Sequence, residues 1–329
     1  MEVNAVPFGI GSLPWCDERQ AAAHVREFYA EFPFVPQLPL RGPLSQMVTE
    51  PFQRYSDLFD TERSGTIRKG RLEDLVAIGQ LSERDLRKFH LEQSKRSDFD
   101  EALFAVRAEF KIADEQRLPI AKAQMIGPAT LFRHLKYGGN ALNPSAIDGR
   151  ALLRLYYDEL SMRIVELGGL AERRVFVLDE PALPFLPRLE LLRSIELIGE
   201  AARRIRASGA QFGIHCCASL QDEGVAAAVD AMAPDLICAP WAFGDNSSAH
   251  PSERRYVSHG SFAFGICPTD SSISAFDPIA AAEALRKDAS TRPPEPLLIS
   301  ASCGLGFSGE DNAVLIGKAL RRVCELLST

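Results

Sequence analysis

The sequence lacks the features that would place the protein in a membrane or on nucleic acid. It has no run of 18 apolar residues, which argues against a membrane-spanning helix. Its start, Met1-Glu2-Val3-Asn4, has no basic stretch followed by an apolar run, so we expect no signal peptide. Positive charge is not in surplus, because 44 Asp and Glu residues outnumber 37 Lys and Arg residues and give a net charge of −7. This balance argues against nucleic-acid and membrane-surface partners.

Repeats, low-complexity tracts and an inter-domain linker are also missing, so we expect a single domain over residues 1–329. A chain of this length with 46% hydrophobic residues can bury a large core. The seven cysteines are odd in number and do not have the spacing of a small disulfide-bonded domain. Such thiols are more often free, metal-bound or catalytic than paired, and we expect a cytoplasmic protein.

Short apolar segments that predict buried strands alternate with helical patterns along the chain. The eight segments are Val6–Ile10, Phe34–Leu38, Ile120–Ile126, Val175–Leu178, Gln211–Ile214, Leu236–Ala239, Phe262–Ile266 and Leu297–Ala301. The main helical patterns cover Glu18–Phe32, Ala151–Leu167, Leu189–Ala207, Glu223–Met232, Pro278–Arg286 and Asp311–Leu327. Eight alternations of strand and helix predict the α/β class and a (β/α)8 TIM barrel.

Residues 41–118, between the second and third predicted strands, interrupt this alternation. The stretch is too long for one crossover helix and is rich in charge. Its pattern predicts helices at about 71–78, 82–90 and 98–116, with a mobile piece around Ser64-Gly65. We interpret the stretch as a helical insertion that forms a lid or a wall beside the barrel mouth; a surface insertion without a role is the alternative.

Polar or turn-forming residues follow most of the predicted strands at their carboxyl ends. They are Gly11-Ser12-Leu13-Pro14, Pro36-Gln37-Leu38-Pro39, Gln124 with Gly127-Pro128, Asp179-Glu180-Pro181, His215-Cys216-Cys217, Pro268-Thr269 and Ser302-Cys303-Gly304. In a TIM barrel these strand ends meet at one mouth, where the active sites of this fold lie. The shared location therefore predicts one functional site.

An imidazole and thiols at two of these strand ends predict a metal site. His215 and Cys217 are two residues apart and would point to the same side of a strand, and Cys303 would reach them across the mouth. This donor set selects zinc over magnesium or calcium. Cys216 is adjacent to Cys217, and because neighbours on a strand face opposite ways, we expect only one of them to bind. The alternative is a set of buried cysteines beside a core histidine.

Asp179 and Glu180 form a carboxylate pair that could bind an amine or act in acid–base catalysis. A solvated pair or a helix cap is the ordinary alternative. Ser12 could hydrogen-bond a carboxylate, although a plain turn serine would look the same. With Gln124, at the end of the third strand, Ser12 and Asp179 make up the predicted substrate-binding set.

Five of these sequence motifs occur in the same order in a known family, which the chain therefore resembles. They are Ile10-Gly11-Ser12-Leu13-Pro14, Gln124 with Gly127-Pro128, Asp179-Glu180-Pro181-Ala182, His215-Cys216-Cys217 and Ser302-Cys303-Gly304-Leu305. Over about residues 6–327 the chain resembles the catalytic C-terminal half of cobalamin-independent methionine synthase. It resembles more closely the short single-barrel members of the same superfamily, which also contains uroporphyrinogen decarboxylase.

The resemblance implies a zinc ion that activates homocysteine as a thiolate for attack on a methyl group. It implies that His215, Cys217 and Cys303 are the ligands, that Asp179 binds the amino group and that Ser12 lies near the carboxylate. The long enzyme has a glutamate as fourth ligand at the end of the sixth strand, where this chain has Pro240. Cys238, two residues earlier, is the candidate replacement, and a three-coordinate site is the alternative.

The function that we expect is zinc-dependent transfer of a methyl group to a thiol, with homocysteine as the expected acceptor and methionine as the product. The chain lacks the half of the long enzyme that helps to bind folate, so a methylated corrinoid protein or another small methyl donor is open. One alternative is a metal-free lyase that resembles uroporphyrinogen decarboxylase, for which Arg41 and Arg133 are candidate carboxylate ligands. Another is an inert zinc-binding module or corrinoid-protein partner.

Overall fold

A parallel sheet of seven strands curls into a half-barrel and carries the candidate site at its carboxyl edge. The computed structural model describes residues 4–92, 96–217, 223–241, 261–289 and 296–329. The strands there are β1 Ala5–Phe8, β2 Leu118–Ile126, β3 Lys136–Tyr137, β4 Asn140–Ala141, β5 Ala171–Asp179, β6 Gln211–His215, β7 Leu236–Pro240, β8 Ser261–Cys267 and β9 Leu297–Ala301. The large sheet has the order β1-β9-β8-β7-β6-β5-β2, and β3 and β4 form a small antiparallel pair. The predicted α/β class and a TIM-like parallel sheet are thus confirmed.

The second predicted strand, Phe34–Leu38, is wrong as a continuous strand. The segment makes only isolated bridges, from Phe34 to Lys122 and from Gln37 to Ser12. Prolines at positions 33, 36 and 39 explain the difference, because a residue without an N–H cannot donate to a sheet ladder. The segment still hydrogen-bonds to β2 on one side and to the residues after β1 on the other. Closure into a complete eight-stranded barrel stays a prediction.

Helices alternate with the sheet strands along most of the chain. In the described residues they are α1 Glu18–Phe28, α2 Leu72–Gly79, α3 Glu83–Glu92, α4 Asp98–Glu109, α5 Pro128–His134, α6 Ile147–Leu170, α7 Arg188–Ala207, α8 Glu223–Met232, α9 Pro278–Ala289 and α10 Glu310–Leu327. Asp17 starts α1 by accepting the N–H groups of Arg19 and Gln20. None of the helices in the described ranges is long and apolar enough to span a membrane.

The core has two parts, one on each face of the sheet. Val175 and Val177 belong to a cluster inside the curl, which also contains Phe8, whereas Phe176 and Leu178 belong to the larger cluster between the sheet and the helices. This alternation follows the two-residue repeat of a strand. It also explains why β5 is nearly continuously apolar, because both of its faces are buried.

The predicted insertion, residues 41–118, contains α2, α3, α4 and a 3-10 segment, Glu50–Leu58. The third predicted helix is seven residues too long, since α4 ends at Glu109. A buried ion cluster fixes the segment: Arg163 on α6 lies 2.8 Å from carboxylate oxygens of both Glu50 and Glu159. The piece around Ser64-Gly65 is held by a backbone hydrogen bond of 2.9 Å from Lys136 to Gly65. A role as a lid stays a prediction.

Candidate metal centre

His215, Cys217 and Cys303 come together at the carboxyl ends of β6 and β9. His215 is the last residue of β6, Cys217 follows it by two, and Cys303 follows β9 by two. The distance from His215 Nε2 to Cys217 Sγ is 3.0 Å, and that from Cys217 Sγ to Cys303 Sγ is also 3.0 Å. One ligand atom from each of the three residues lies within 4.8 Å of the ligand atoms of the other two. The structure thus brings the three predicted metal ligands into one group.

A backbone carbonyl fixes the histidine ring. His215 Nδ1 lies 3.1 Å from the carbonyl oxygen of Cys238 on the neighbouring strand β7. If Nδ1 carries the proton and donates it to this oxygen, Nε2 is left with a lone pair that faces the thiols. This pairing is the arrangement by which a second partner orients a metal-binding histidine.

The other two candidate cysteines point elsewhere. Cys216 is buried in the large core cluster between the sheet and the helices. Cys238 is fully buried in the interior cluster, and burial raises the pKa of its thiol to about 12. Among the residues that the structure describes, neither belongs to the group of His215, Cys217 and Cys303. The geometry therefore favours Cys217 over Cys216, and a three-residue set over one that includes Cys238.

The two thiols of the group are not equivalent. The pKa of Cys303 is lowered to about 4, because the Cys217 thiol donates a hydrogen bond to it and His215 adds a further stabilising interaction. The pKa of Cys217 is raised, since its proton is shared with the Cys303 sulfur. The group thus already stabilises one thiolate, which is the form of cysteine that binds metals.

Asp179, the last residue of β5, carries an unused acceptor beside this group. It pairs with His215 in the register between β5 and β6, and its side chain is 6% exposed. Its Oδ1 atom is buried and makes no hydrogen bond. Burial raises the pKa of this carboxyl to about 6, although His215 and Lys122 lower it in part. A buried acceptor without a partner favours binding of a donor group from a substrate.

The Glu180 carboxylate is bound to the start of α5. Its oxygens accept hydrogen bonds of 2.9 Å from the N–H of Ala129, 2.8 Å from the N–H of Thr130 and 2.6 Å from the Thr130 hydroxyl. Burial raises its pKa to about 7, and these hydrogen bonds oppose the rise. The carboxylate therefore caps a helix, which is the alternative to the predicted catalytic role.

Ser12 lies against the loop that carries Cys303. Its hydroxyl oxygen accepts the N–H of Gly306 at 3.2 Å, and its carbonyl accepts the N–H of Leu305 at 2.8 Å. A Cβ atom on Gly304 would lie only 2.1 Å from the Ser12 oxygen, so the close approach requires glycine there. The structure therefore places predicted substrate-binding and metal-binding residues side by side.

Sequence reasoning missed Lys122, which lies inside the curl of the sheet. Its ammonium donates hydrogen bonds to the Ile10 carbonyl and to Gln124 Oε1, and its side chain is 1% exposed. Burial lowers its pKa to about 8, and Asp179 opposes this shift. A lysine in the middle of the apolar run Ile120–Ile126 was the signal in the sequence, because a buried charge needs specific partners.

The two arginines considered for a lyase site are engaged with acidic residues. Arg41 donates to Asp98 at 3.1 Å and to Glu101 at 2.6 Å, and it also contacts Glu18. Arg133 is exposed and lies 3.9 Å from Glu190. Neither arrangement supports the carboxylate-binding arginine cluster that a decarboxylase-like reaction would require.

Comparisons with known proteins show the fold. No family model matches the sequence, and no curated protein matches it. The structure is similar to that of a methyltransferase from Methanosarcina mazei, with 14% identity, a TM-score of 0.58 and coverage of 97% of this chain and 94% of that chain. It is also similar to a B12-independent methionine synthase from Shewanella sp. W3-18-1 in complex with selenomethionine. That match has 13% identity, a TM-score of 0.46 and coverage of 79% of this chain and 69% of that chain.

Proposed function

We propose that the protein is a zinc-dependent methyltransferase that transfers a methyl group to a thiol, with homocysteine as the expected acceptor and methionine as the product. The observation that carries the proposal is the group of His215, Cys217 and Cys303, whose ligand atoms lie within 4.8 Å of one another at the strand ends. We expect a methylated corrinoid protein or another small methyl donor as the second reactant. Similarity in fold to a methyltransferase agrees with this reaction class.

The chemistry of the donor set fits zinc. One imidazole nitrogen and two sulfur atoms are ligands that zinc prefers, and three protein ligands leave a position for a substrate. The hydrogen bond between the two sulfur atoms lowers the pKa of Cys303, which supports a group that can hold a thiolate as a metal ligand. When bound, zinc lowers the pKa of an incoming thiol so that it is a thiolate near neutral pH.

Neighbouring side chains supply the contacts that an amino-acid thiol needs. The unpaired Oδ1 of Asp179 would accept a hydrogen bond from the substrate ammonium group. Ser12 already accepts the N–H of Gly306, so its own O–H is available to donate to the substrate carboxylate. These two contacts would orient the sulfur toward the methyl donor, and such orientation lowers the barrier of a displacement reaction.

The reaction itself is a displacement at carbon. The substrate sulfur forms a bond to the methyl carbon while the bond between that carbon and the donor breaks. The electron pair of the broken bond stays with the donor, and the thiol proton has already left to the solvent. With a methylated corrinoid as donor, the departing corrinoid keeps the electron pair and needs no proton, which agrees with the engagement of Glu180 at the start of α5.

Metal analysis of four cysteine variants tests the proposal. We expect about one zinc per chain in protein purified without chelators, and loss of that zinc in Cys217→Ser and in Cys303→Ser. Cys216→Ser and Cys238→Ser are the matched controls and should retain it, because their thiols lie outside the group. Metal-free wild-type protein, or equal zinc in all four variants, would overturn the proposal.

Addition of homocysteine then distinguishes an enzyme from an inert zinc-binding module. Thiolate binding to the metal adds a sulfur ligand, so the zinc X-ray absorption spectrum should change in the wild type. Asp179→Asn keeps the shape of the side chain but removes its charge, and it should weaken the response to homocysteine without loss of zinc. A spectrum that does not respond to any thiol would favour the inert module.

A further inference from the structure

A chain of three side chains leads from the interior of the sheet to Gln37, which is bridged to Ser12. The Lys122 ammonium donates to Gln124 Oε1, and Gln124 Nε2 donates to Gln37 Oε1 at 2.9 Å. Lys122 is 1% exposed and Gln124 is 2% exposed. The chain ends at Gln37 Nε2, which is buried and makes no hydrogen bond in the described structure.

The lysine determines which way both amides point. An ammonium can only donate, so Gln124 must turn its oxygen toward Lys122 and its NH2 group toward Gln37. Gln37 must then accept with its own oxygen, and its buried NH2 group is left without an acceptor. The orientation of a glutamine amide is assigned from its hydrogen-bond network, and here the charge of the lysine fixes it.

The free NH2 group belongs to a residue that lies next to Ser12. Gln37 and Ser12 form a parallel bridge, and the Gln37 N–H donates to the Gly11 carbonyl at 3.0 Å. Gly11 has φ +144°, and a Cβ atom there would lie 1.4 Å from Gln124 Nε2. Position 11 therefore requires glycine, because a side chain would clash with the Gln124 amide. Ser12 in turn contacts the loop of Cys303, so the donor lies on the Ser12 side of the candidate metal centre.

We propose that Gln37 donates a hydrogen bond to the carboxylate of the acceptor thiol, and that Lys122, acting through Gln124, is the positioning residue that makes Gln37 a donor. The proposal rests on the proposed function and adds to it a second contact to the acceptor carboxylate, from Gln37. A buried donor without a partner is unfavourable until a ligand supplies an acceptor. The ammonium at the base of the chain adds a positive potential that favours an anion over a neutral group.

The test compares a mercapto acid with its neutral counterpart. Calorimetry on the zinc-loaded protein would measure Kd for 4-mercaptobutyrate and for 4-mercapto-1-butanol, which both have the thiol arm of homocysteine. We expect the wild type to prefer the acid by about tenfold or more, as for a hydrogen bond to a charged group. Gln37→Leu should remove most of this preference, and Gln37→Glu should reverse it, because an acceptor then faces the carboxylate.

Two further variants separate positioning from folding. Lys122→Met should reduce the preference for the acid, because Gln124 and Gln37 can then turn, while zinc content stays the same. Gln124→Leu breaks the chain without removing a charge and should have the same effect, which keeps the proposal testable if Lys122→Met does not fold. Gln80→Leu, at an exposed position, is the matched control and should keep the wild-type preference.

The outcomes distinguish this proposal from the proposed function. Equal Kd values for the two thiols in the wild type, or an unchanged preference in Gln37→Leu, would overturn the role of Gln37 and leave the thiol methyltransferase intact. Binding of neither thiol to the zinc-loaded protein would overturn both. A preference lost in Gln37→Leu but kept in Lys122→Met and Gln124→Leu would overturn the positioning role of the lysine.

Discussion

The thiol of Cys217 lies 3.0 Å from the thiol of Cys303, although 86 residues separate them in the sequence. Both cysteines are free, and each is half-buried at the end of a strand. Two thiols at this distance can share a metal ion or form a disulfide bond with each other. Which of these occurs depends on whether a metal holds the sulfurs as ligands.

Removal of the metal should make this pair sensitive to oxidation. With one equivalent of hydrogen peroxide, the chelator-treated protein should form a Cys217–Cys303 disulfide, in which the thiols lose two hydrogen atoms and peroxide becomes two water molecules. Zinc-loaded protein should react far more slowly, because its sulfurs are occupied. Peptide mapping by mass spectrometry would identify the bond.

Neighbouring cysteines are the controls for this oxidation. Cys216→Ser should form the same disulfide as the wild type, since Cys216 lies in the core cluster on the other face of the sheet. Cys303→Ser should not form it. A disulfide that joins Cys216 to Cys303 would show that the assignment of the adjacent cysteines is reversed.

Glu180→Gln should destabilise the protein without loss of zinc. The substitution replaces one carboxylate oxygen by an NH2 group, which then faces the N–H of Ala129 or Thr130 at the start of α5. An unsatisfied buried donor of this kind lowers the free energy of unfolding by about 2 kcal/mol. Urea unfolding would measure the change, and Glu172→Gln, at an exposed position on β5, is the control. Full stability with lost methyl transfer would instead support the predicted catalytic role.

The sequence predicted the positions of most strands because burial on both faces of the sheet leaves a continuous apolar signal. Where a strand is polar, this signal fails: β5 begins at Ala171, four residues before the predicted start, since Glu172 and Arg173 are exposed. The opposite error occurred at Phe34–Leu38, where an apolar composition predicted a strand that prolines interrupt. Apolarity reports burial and does not report hydrogen bonding.

The candidate site was predictable only where a residue type is rare enough to imply its chemistry. His215, Cys217 and Cys303 were identified because imidazole and thiols at strand ends favour a metal, and the structure groups them. Glu180 could not be separated from Asp179 by sequence, because the direction of adjacent side chains depends on where the strand ends. The partners of Lys122 and Gln37 come from different strands, and only the assembled sheet joins them.

His24 should make the stability of the protein fall as the pH is lowered. Its ring is 4% exposed and packs on Trp15 and Phe28, with centroid distances of 4.6 and 4.8 Å. Burial lowers its pKa from 6.5 to about 4. Between these values the unfolded chain binds a proton at this residue and the folded protein does not, so stability is fully present above pH 6.5 and is lost as the pH falls toward 4.

The substitution His24→Phe would isolate the contribution of His24 to the loss of stability in acid. At about 1.4 kcal/mol for each pKa unit, the loss from His24 in acid is on the order of 3 kcal/mol. Urea unfolding of metal-free protein at pH 7 and pH 4.5 should therefore show a smaller drop for His24→Phe than for the wild type. Gln80→Leu, at an exposed position that does not titrate, should behave as the wild type does. The carboxyl groups titrate equally in all three proteins and do not affect the comparison. If the free energy of unfolding of His24→Phe falls as much as that of the wild type, His24 is protonated in the folded state.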